Sequence, residues 1–196
     1  MSLRFALLGV LEARPMTGYE LAQFFAQSAA WVWSAPHSNI YPELRRLENE
    51  GLLTSTTDVR GERLERRVYE LTDLGLRQLL EWAATEPTPS YLRDPLLVRI
   101  GFLDLADPTE ATKMLRTFID EQAQLIHEWS AHIERLRTRE APLLQERLKH
   151  RDPKIHHKVV ELKAAAFEGL IETARARVSS ARRALEIIED KRPPRR

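Results

Sequence analysis

The chain of 196 residues carries 30 basic and 29 acidic side chains, so its formal net charge of +1 gives no argument for a polyanion, a membrane surface or an acidic substrate. The absence of cysteine excludes a disulfide framework, a thiolate metal site and a redox motif, and fits a reducing cytoplasm. No apolar run approaches the length that spans a bilayer, and FALLGVL, beginning at Phe5, is too short for a signal core before Glu12 and Arg14 interrupt it. A cytoplasmic protein with no membrane partner is expected. Its length suits two small domains, each with a modest core. Charge is not segregated between them: residues 1–86 hold nine arginines, no lysine and twelve acids, and residues 87–196 hold 21 bases and 17 acids.

Leu3, Leu7, Leu8, Val10 and Leu11 make a short apolar first helix that Pro15 stops. Thr17 and Glu20 in TGYE have capping-box spacing, in which each side chain satisfies the other residue's free backbone donor, so a second helix starts at Gly18 and runs to about Gln27. A segment with Trp31, Trp33 and Pro36 leads to HSNIYPELRRLENEGLL. There Ile40, Leu44, Leu47 and Gly51 recur at four, three and four, the stripe of an amphipathic third helix. Ser38 or Asn39 is expected to cap it, Gly51 to stop it, and Pro42 to lie near its first turn.

Leu52 to Thr72 reads as a two-stranded hairpin, with β-favouring Thr54, Thr56, Val68 and Tyr69 around a turn from Asp58 to Glu65. Thr72 and Asp73 open a fourth helix that ends at EPTPS, the expected domain boundary. Beyond it, Asp-Pro pairs at Asp94, Asp107 and Asp152 mark helix starts, because Asp caps and Pro suits the first helical position. Ile119, Ile126 and Ile133 repeat every seven residues, and Leu115, Gln122, Trp129 and Leu136 fill the alternate register. This heptad seam must be covered by intramolecular packing or by a dimer. The expected organisation is residues 1–86, residues 91–190 and a disordered tail at 191–196.

Three short helices followed by a hairpin is the order of a winged helix-turn-helix, whose third helix enters the DNA major groove. In that reading Ser38, Asn39, Pro42, Arg45 and Arg46 reach base edges or phosphates, and Arg60, Arg63, Arg66 and Arg67 of the wing meet the backbone or a narrow minor groove. Six acids, Glu43, Glu48, Glu50, Asp58, Glu62 and Glu65, offset these arginines, so binding requires the fold to separate the two signs.

At ALLGVLEARPMTGYEL, NIYPELRRLENEGLL and RRVYELTDLG the chain resembles the PadR family of bacterial transcriptional regulators. The resemblance covers about residues 3–85, with a weaker, compositional likeness over 92–190. It implies a mainly α fold, a winged helix-turn-helix with a two-stranded β wing plus an all-helical dimerisation domain. It also implies a homodimeric repressor that binds an inverted repeat of double-stranded DNA and is released by a small, often aromatic, molecule. The family pattern YPxLxRLExxGL falls on Tyr41, Pro42, Leu44, Arg46, Leu47, Glu48, Gly51 and Leu52, which assigns Tyr41 and Arg46 to DNA. Tyr19, at the start of the second helix, is placed for a phosphate contact or for packing.

An aromatic or cationic effector wedged against Trp31 and Trp33 is one way to tilt the third helix. Dimerisation is assigned to the seam residues Ile119, Ile126, Trp129, Ile133 and Leu136. No glycine-rich phosphate loop, nucleophile elbow or zinc signature is present, and His127 with His132 are off the spacing that pairs ligands on one helix face. Catalytic residues, metal ligands and cofactors are therefore not expected. The alternative in another class is a winged helix used only for protein contacts, with its arginines solvated.

Overall fold

The computed structural model describes residues 3–27, 37–59, 65–87 and 94–190. The chain divides into two compact units, Met1–Pro89 with Ala141–His156, and Ser90–Glu140 with His157–Arg196.

The first unit begins with α1 (Leu3–Leu11), a two-residue strand β1 (Met16–Thr17) and α2 (Gly18–Gln27). The capping box forms in both directions: the Glu20 N–H donates to Thr17 Oγ1 at 3.1 Å, and the Thr17 N–H donates to Glu20 Oε2 at 2.7 Å. Burial pushes the Glu20 carboxyl up, but the Thr17 hydrogen bonds and the Arg14 charge together outweigh it and hold the group below its ordinary pKa. Next come α3 (His37–Asn49), β2 (Leu53–Val59), β3 (Glu65–Leu71) and α4 (Asp73–Ala84). Helix α3 already begins at His37, so Ser38 and Asn39 lie inside it rather than capping it, and Pro42 is an interior residue. Its other end is as expected: Gly51 takes φ +73°, and the N–H groups of Gly51 and Leu52 donate to Glu48 and Leu47 carbonyls at 2.9 Å each, a Schellman closure.

The sheet has three strands in the order β1-β3-β2, one more than the hairpin read from the sequence. Two residues carry no legible strand period. Met16 pairs with Tyr69, both buried, and Thr17 pairs with Val68, so β1 ties the start of α2 to the hairpin. Helices α1, α2, α3 and α4 pack around Leu7, Leu8, Leu21, Phe25, Ile40, Leu44 and Leu47, and the apolar stripe of α3 is its buried face. Thr72 caps α4 through the Gly75 N–H at 3.0 Å. A Cβ at Gly75 would lie 2.2 Å from the Leu52 carbonyl oxygen, so only glycine admits this approach.

The segment 141–156, which the sequence placed with the helical domain, belongs to this first unit. It holds α7 (Pro142–Lys149) and a 3₁₀ turn (Pro153–Ile155) capped by Asp152. Ala141, Leu144 and Leu148 are buried, and Leu143 packs on the winged-helix core. Arg147 Nε lies 2.8 Å from Glu12 Oε2, its guanidinium donates to the Gly9 carbonyl, and Arg151 pairs with the same carboxylate. Burial lowers the Arg147 pKa, and the Arg151 charge adds to this while Glu12 opposes it. A winged helix with its own C-terminal cover explains why the boundary at residue 86 does not separate everything that follows.

The second unit contains α5 (Pro95–Ile100), a 3₁₀ turn (Leu103–Leu105), α6 (Pro108–Arg137) and α8 (His156–Glu189), most of which lies here. Asp94 caps α5 and Asp107 caps α6, each accepting backbone N–H bonds, as the Asp-Pro pairs led us to expect. Helices α6 and α8 run antiparallel, with Arg137 on Glu161 and Glu168 at one end, His132 against Phe167, and Arg116 on Glu189 at the other. The buried face of α8 is built on Ala164, Ala174, Ala181 and Ala184, small residues that allow a close neighbour.

On α6 the register Leu115, Gln122, Trp129 and Leu136 is buried within the chain, as is Ile133. Trp129, Ile133 and Leu136 are thus covered by packing within the chain, one of the two covers that the seam allows. Ile119 packs partly on the core of Leu96, Leu115, Ala181 and Ala184, and Ile126 is half-buried.

Candidate nucleic-acid interface

With Ile40, Leu44 and Leu47 fixed in the core, an advance of about 100° per residue sets the rest of α3. Ser38, Pro42, Arg45 and Asn49 form the outward stripe, and all four are exposed. One flank carries Asn39, Glu43, Arg46 and Glu50, and the other carries Tyr41 and Glu48. Asn49 was not among the residues that the sequence reading turned outward.

The separation of signs takes place on those flanks. Arg46 Nε lies 3.2 Å from Glu50, and Arg4 of α1 reaches both Glu50 and Glu43, the latter at 3.5 Å. On the other flank Glu48 accepts from Ser55 Oγ at 2.5 Å and from Arg67 of β3 at 3.1 Å. Each acid of α3 thus has a cation beside it. Arg45 makes no ion pair among the described residues.

Tyr41 lies against the first turn of α2. A Cβ added at Gly18 would meet its Cε1 at 2.7 Å, so the glycine of TGYE makes room for the ring. Tyr19, next in sequence, is 67% exposed. Tyr19 at the start of α2, the stripe of α3 and the strand residues Arg66 and Arg67 are all exposed. Arg66 stands opposite Asp58 and Arg67 opposite Thr57 in the hairpin register. Arg60 and Arg63, and Trp31 and Trp33 of the candidate effector pocket, lie outside the described residues.

Among the open cavities of the second unit are two of similar size. One, of about 530 Å³, is lined by Asp94, Leu96, Arg99, Lys113, Met114, Phe118 and Arg177 among others. Inside it Asp94 pairs with Arg177 Nε at 2.7 Å; burial raises the carboxyl, but the Leu96 N–H and the Arg177 bond and charge hold it below its ordinary pKa. The other, of about 560 Å³, is a groove between α6 and α8 that includes Ile119, Ala123 and Ile126. Among the described residues no group of three or more His, Cys, Asp or Glu side chains is placed to hold a metal ion, and no helix is long and apolar enough to cross a membrane.

Three helices, a hairpin joined by β1 and an outward stripe on the third helix that carries Arg45 define a winged helix-turn-helix DNA-binding protein. The profile of the Transcriptional regulator PadR-like family matches residues 7–81. The Negative transcriptional regulator PadR of Bacillus subtilis is 30% identical over 142 residues, 72% of this chain and 78% of that protein. The crystal structure of Bacillus subtilis PadR in complex with operator DNA superposes with TM-score 0.70 at 26% identity, covering 95% of this chain and 99% of that one. The structure of the same regulator with p-coumaric acid gives TM-score 0.64 at 24% identity, covering 96% of each chain. The chain belongs to the PadR-like family of transcriptional regulators, and it is a regulator rather than an enzyme.

Proposed function

We propose that the chain is a cytoplasmic homodimeric repressor that binds an inverted-repeat operator and releases it on binding a small aromatic molecule. The observation that carries the DNA-binding part is the sorting of charge on α3, where each acid has a cation on a flank and the outward stripe is left to Ser38, Pro42 and Arg45. To phosphate contacts we assign Tyr19, Asn39, Tyr41, Arg46, Arg66 and Arg67, together with Arg60 and Arg63.

Repression and effector release are read from the relative called a negative regulator and from the p-coumaric acid complex of the Bacillus subtilis protein. Dimerisation is supported by apolar side chains exposed in the second unit: Leu97, Val98, Phe102 and Leu105 are 42 to 79% exposed, an apolar patch of the kind that marks interaction surfaces. Two recognition helices related by the dimer axis then meet successive major grooves about 34 Å apart.

The test is selection from a randomised duplex library at two salt concentrations, repeated with p-coumaric acid present. Enrichment of an inverted repeat, affinity falling steeply with salt, and loss of binding with the acid support the proposal. An enriched single site without symmetry would sink the dimeric reading, and binding indifferent to aromatic acids would sink the effector.

A further inference from the structure

We propose that sequence readout from α3 is carried by Arg45, and that Arg46, the arginine of the family pattern, serves as a backbone clamp held in place by Glu50. The inference rests on the operator-binding reading above.

The two residues are neighbours in sequence but lie about 100° apart around the helix, Arg45 within the outward stripe at its Tyr41 edge and Arg46 on the opposite flank. Arg46 shares its side with Glu43 and Glu50, and Arg4 of α1 is anchored there too. A guanidinium moved from that side to a base edge would bring two carboxylates towards the electronegative groove. The i,i+4 pair itself is weak at the surface, so position rather than pairing strength excludes Arg46 from the bases.

Arg45 shares its side with Tyr41, whose ring rests on Gly18 at the start of α2, and with Glu48, which Ser55 and Arg67 of the hairpin hold. That side faces the two elements that border DNA in a winged helix, the start of the second helix and the wing. Arg45 is exposed and makes no ion pair among the described residues. The base it recognises is guanine, whose O6 and N7 accept a guanidinium bidentately in the major groove.

The experiment is the library selection with the full chain and its R45A, R45K and R46A variants. R45A is expected to abolish the preference for guanine at one position of each half-site, a loss of about 10-fold in discrimination, within the range of one bidentate contact. R45K should keep affinity at low salt and lose the same preference, because an ammonium is a point charge without the fork. R46A should return the wild-type motif with affinity lowered on every sequence. An R46A variant that loses a base preference while R45A retains it, or an R45K variant as discriminating as wild type, overturns the assignment. Wild-type protein that enriches no sequence overturns the operator-binding reading itself, a result separate from either.

Discussion

Glu12→Ala is expected to loosen the first unit by about 2 kcal/mol. The Glu12 and Arg147 side chains are only 13% and 16% exposed, and the carboxylate receives both Arg147 and the more exposed Arg151. Removing one partner of a fully buried pair costs roughly 3–5 kcal/mol, because the other charge stays buried without compensation. Two features reduce that figure here: Arg147 keeps its bond to the Gly9 carbonyl, and Arg151 can turn to water. Urea unfolding followed by circular dichroism should show a lower midpoint at unchanged m-value. The double variant E12A/R147M removes both charges and keeps the stem of the side chain, so it should recover part of the loss. An unfolding free energy for E12A within about 0.5 kcal/mol of wild type, the range of ordinary surface changes, would refute the view that residues 141–156 are an integral part of the winged helix.

Asp94 has its carboxyl pKa depressed in the folded state, so its contribution is present above the unfolded value near pH 4 and is lost as pH falls through the lower folded value. Asp94→Asn should therefore lower stability at pH 7 by about 1–2 kcal/mol, the worth of a charged hydrogen bond discounted for the partly exposed Arg177, and by less at pH 3; an equal loss at both would contradict the ion pair. Gly75→Ala, with its Cβ 2.2 Å from a backbone oxygen, should cost at least about 3 kcal/mol, whereas Gly169→Ala, with nothing within 4 Å in the interior of α8, should gain roughly 0.5–1 kcal/mol in thermal or urea melts. Arg66→Ala should weaken binding to all duplexes alike and reduce the salt slope by about 1; a changed sequence preference would move Arg66 from backbone to base contacts.

The features legible without a structure are those in which cause and effect lie within one helical turn. The Thr17 and Glu20 box, the Asp94 and Asp107 caps and the Gly51 closure each need a few adjacent residues, and each is found where its spacing put it. The stripe of Ile40, Leu44 and Leu47 likewise orients α3 from periodicity alone, because an amphipathic helix has one way to bury its apolar face. Ser38 and Asn39 are good caps by type, yet the described helix already includes His37.

Tertiary structure decided what depends on residues far apart in the chain. Periodicity finds an apolar face but not its partner, so the heptad on α6 could not reveal that Trp129, Ile133 and Leu136 are buried within one chain. The return of residues 141–156 to the first unit turns on a carboxylate and a guanidinium 135 positions apart, invisible to any local window. The charge balance of α3 is of the same kind. In the sequence its acids oppose DNA; in the fold Arg4, Arg46 and Arg67 stand beside them, because Coulomb attraction acts across space rather than along the chain.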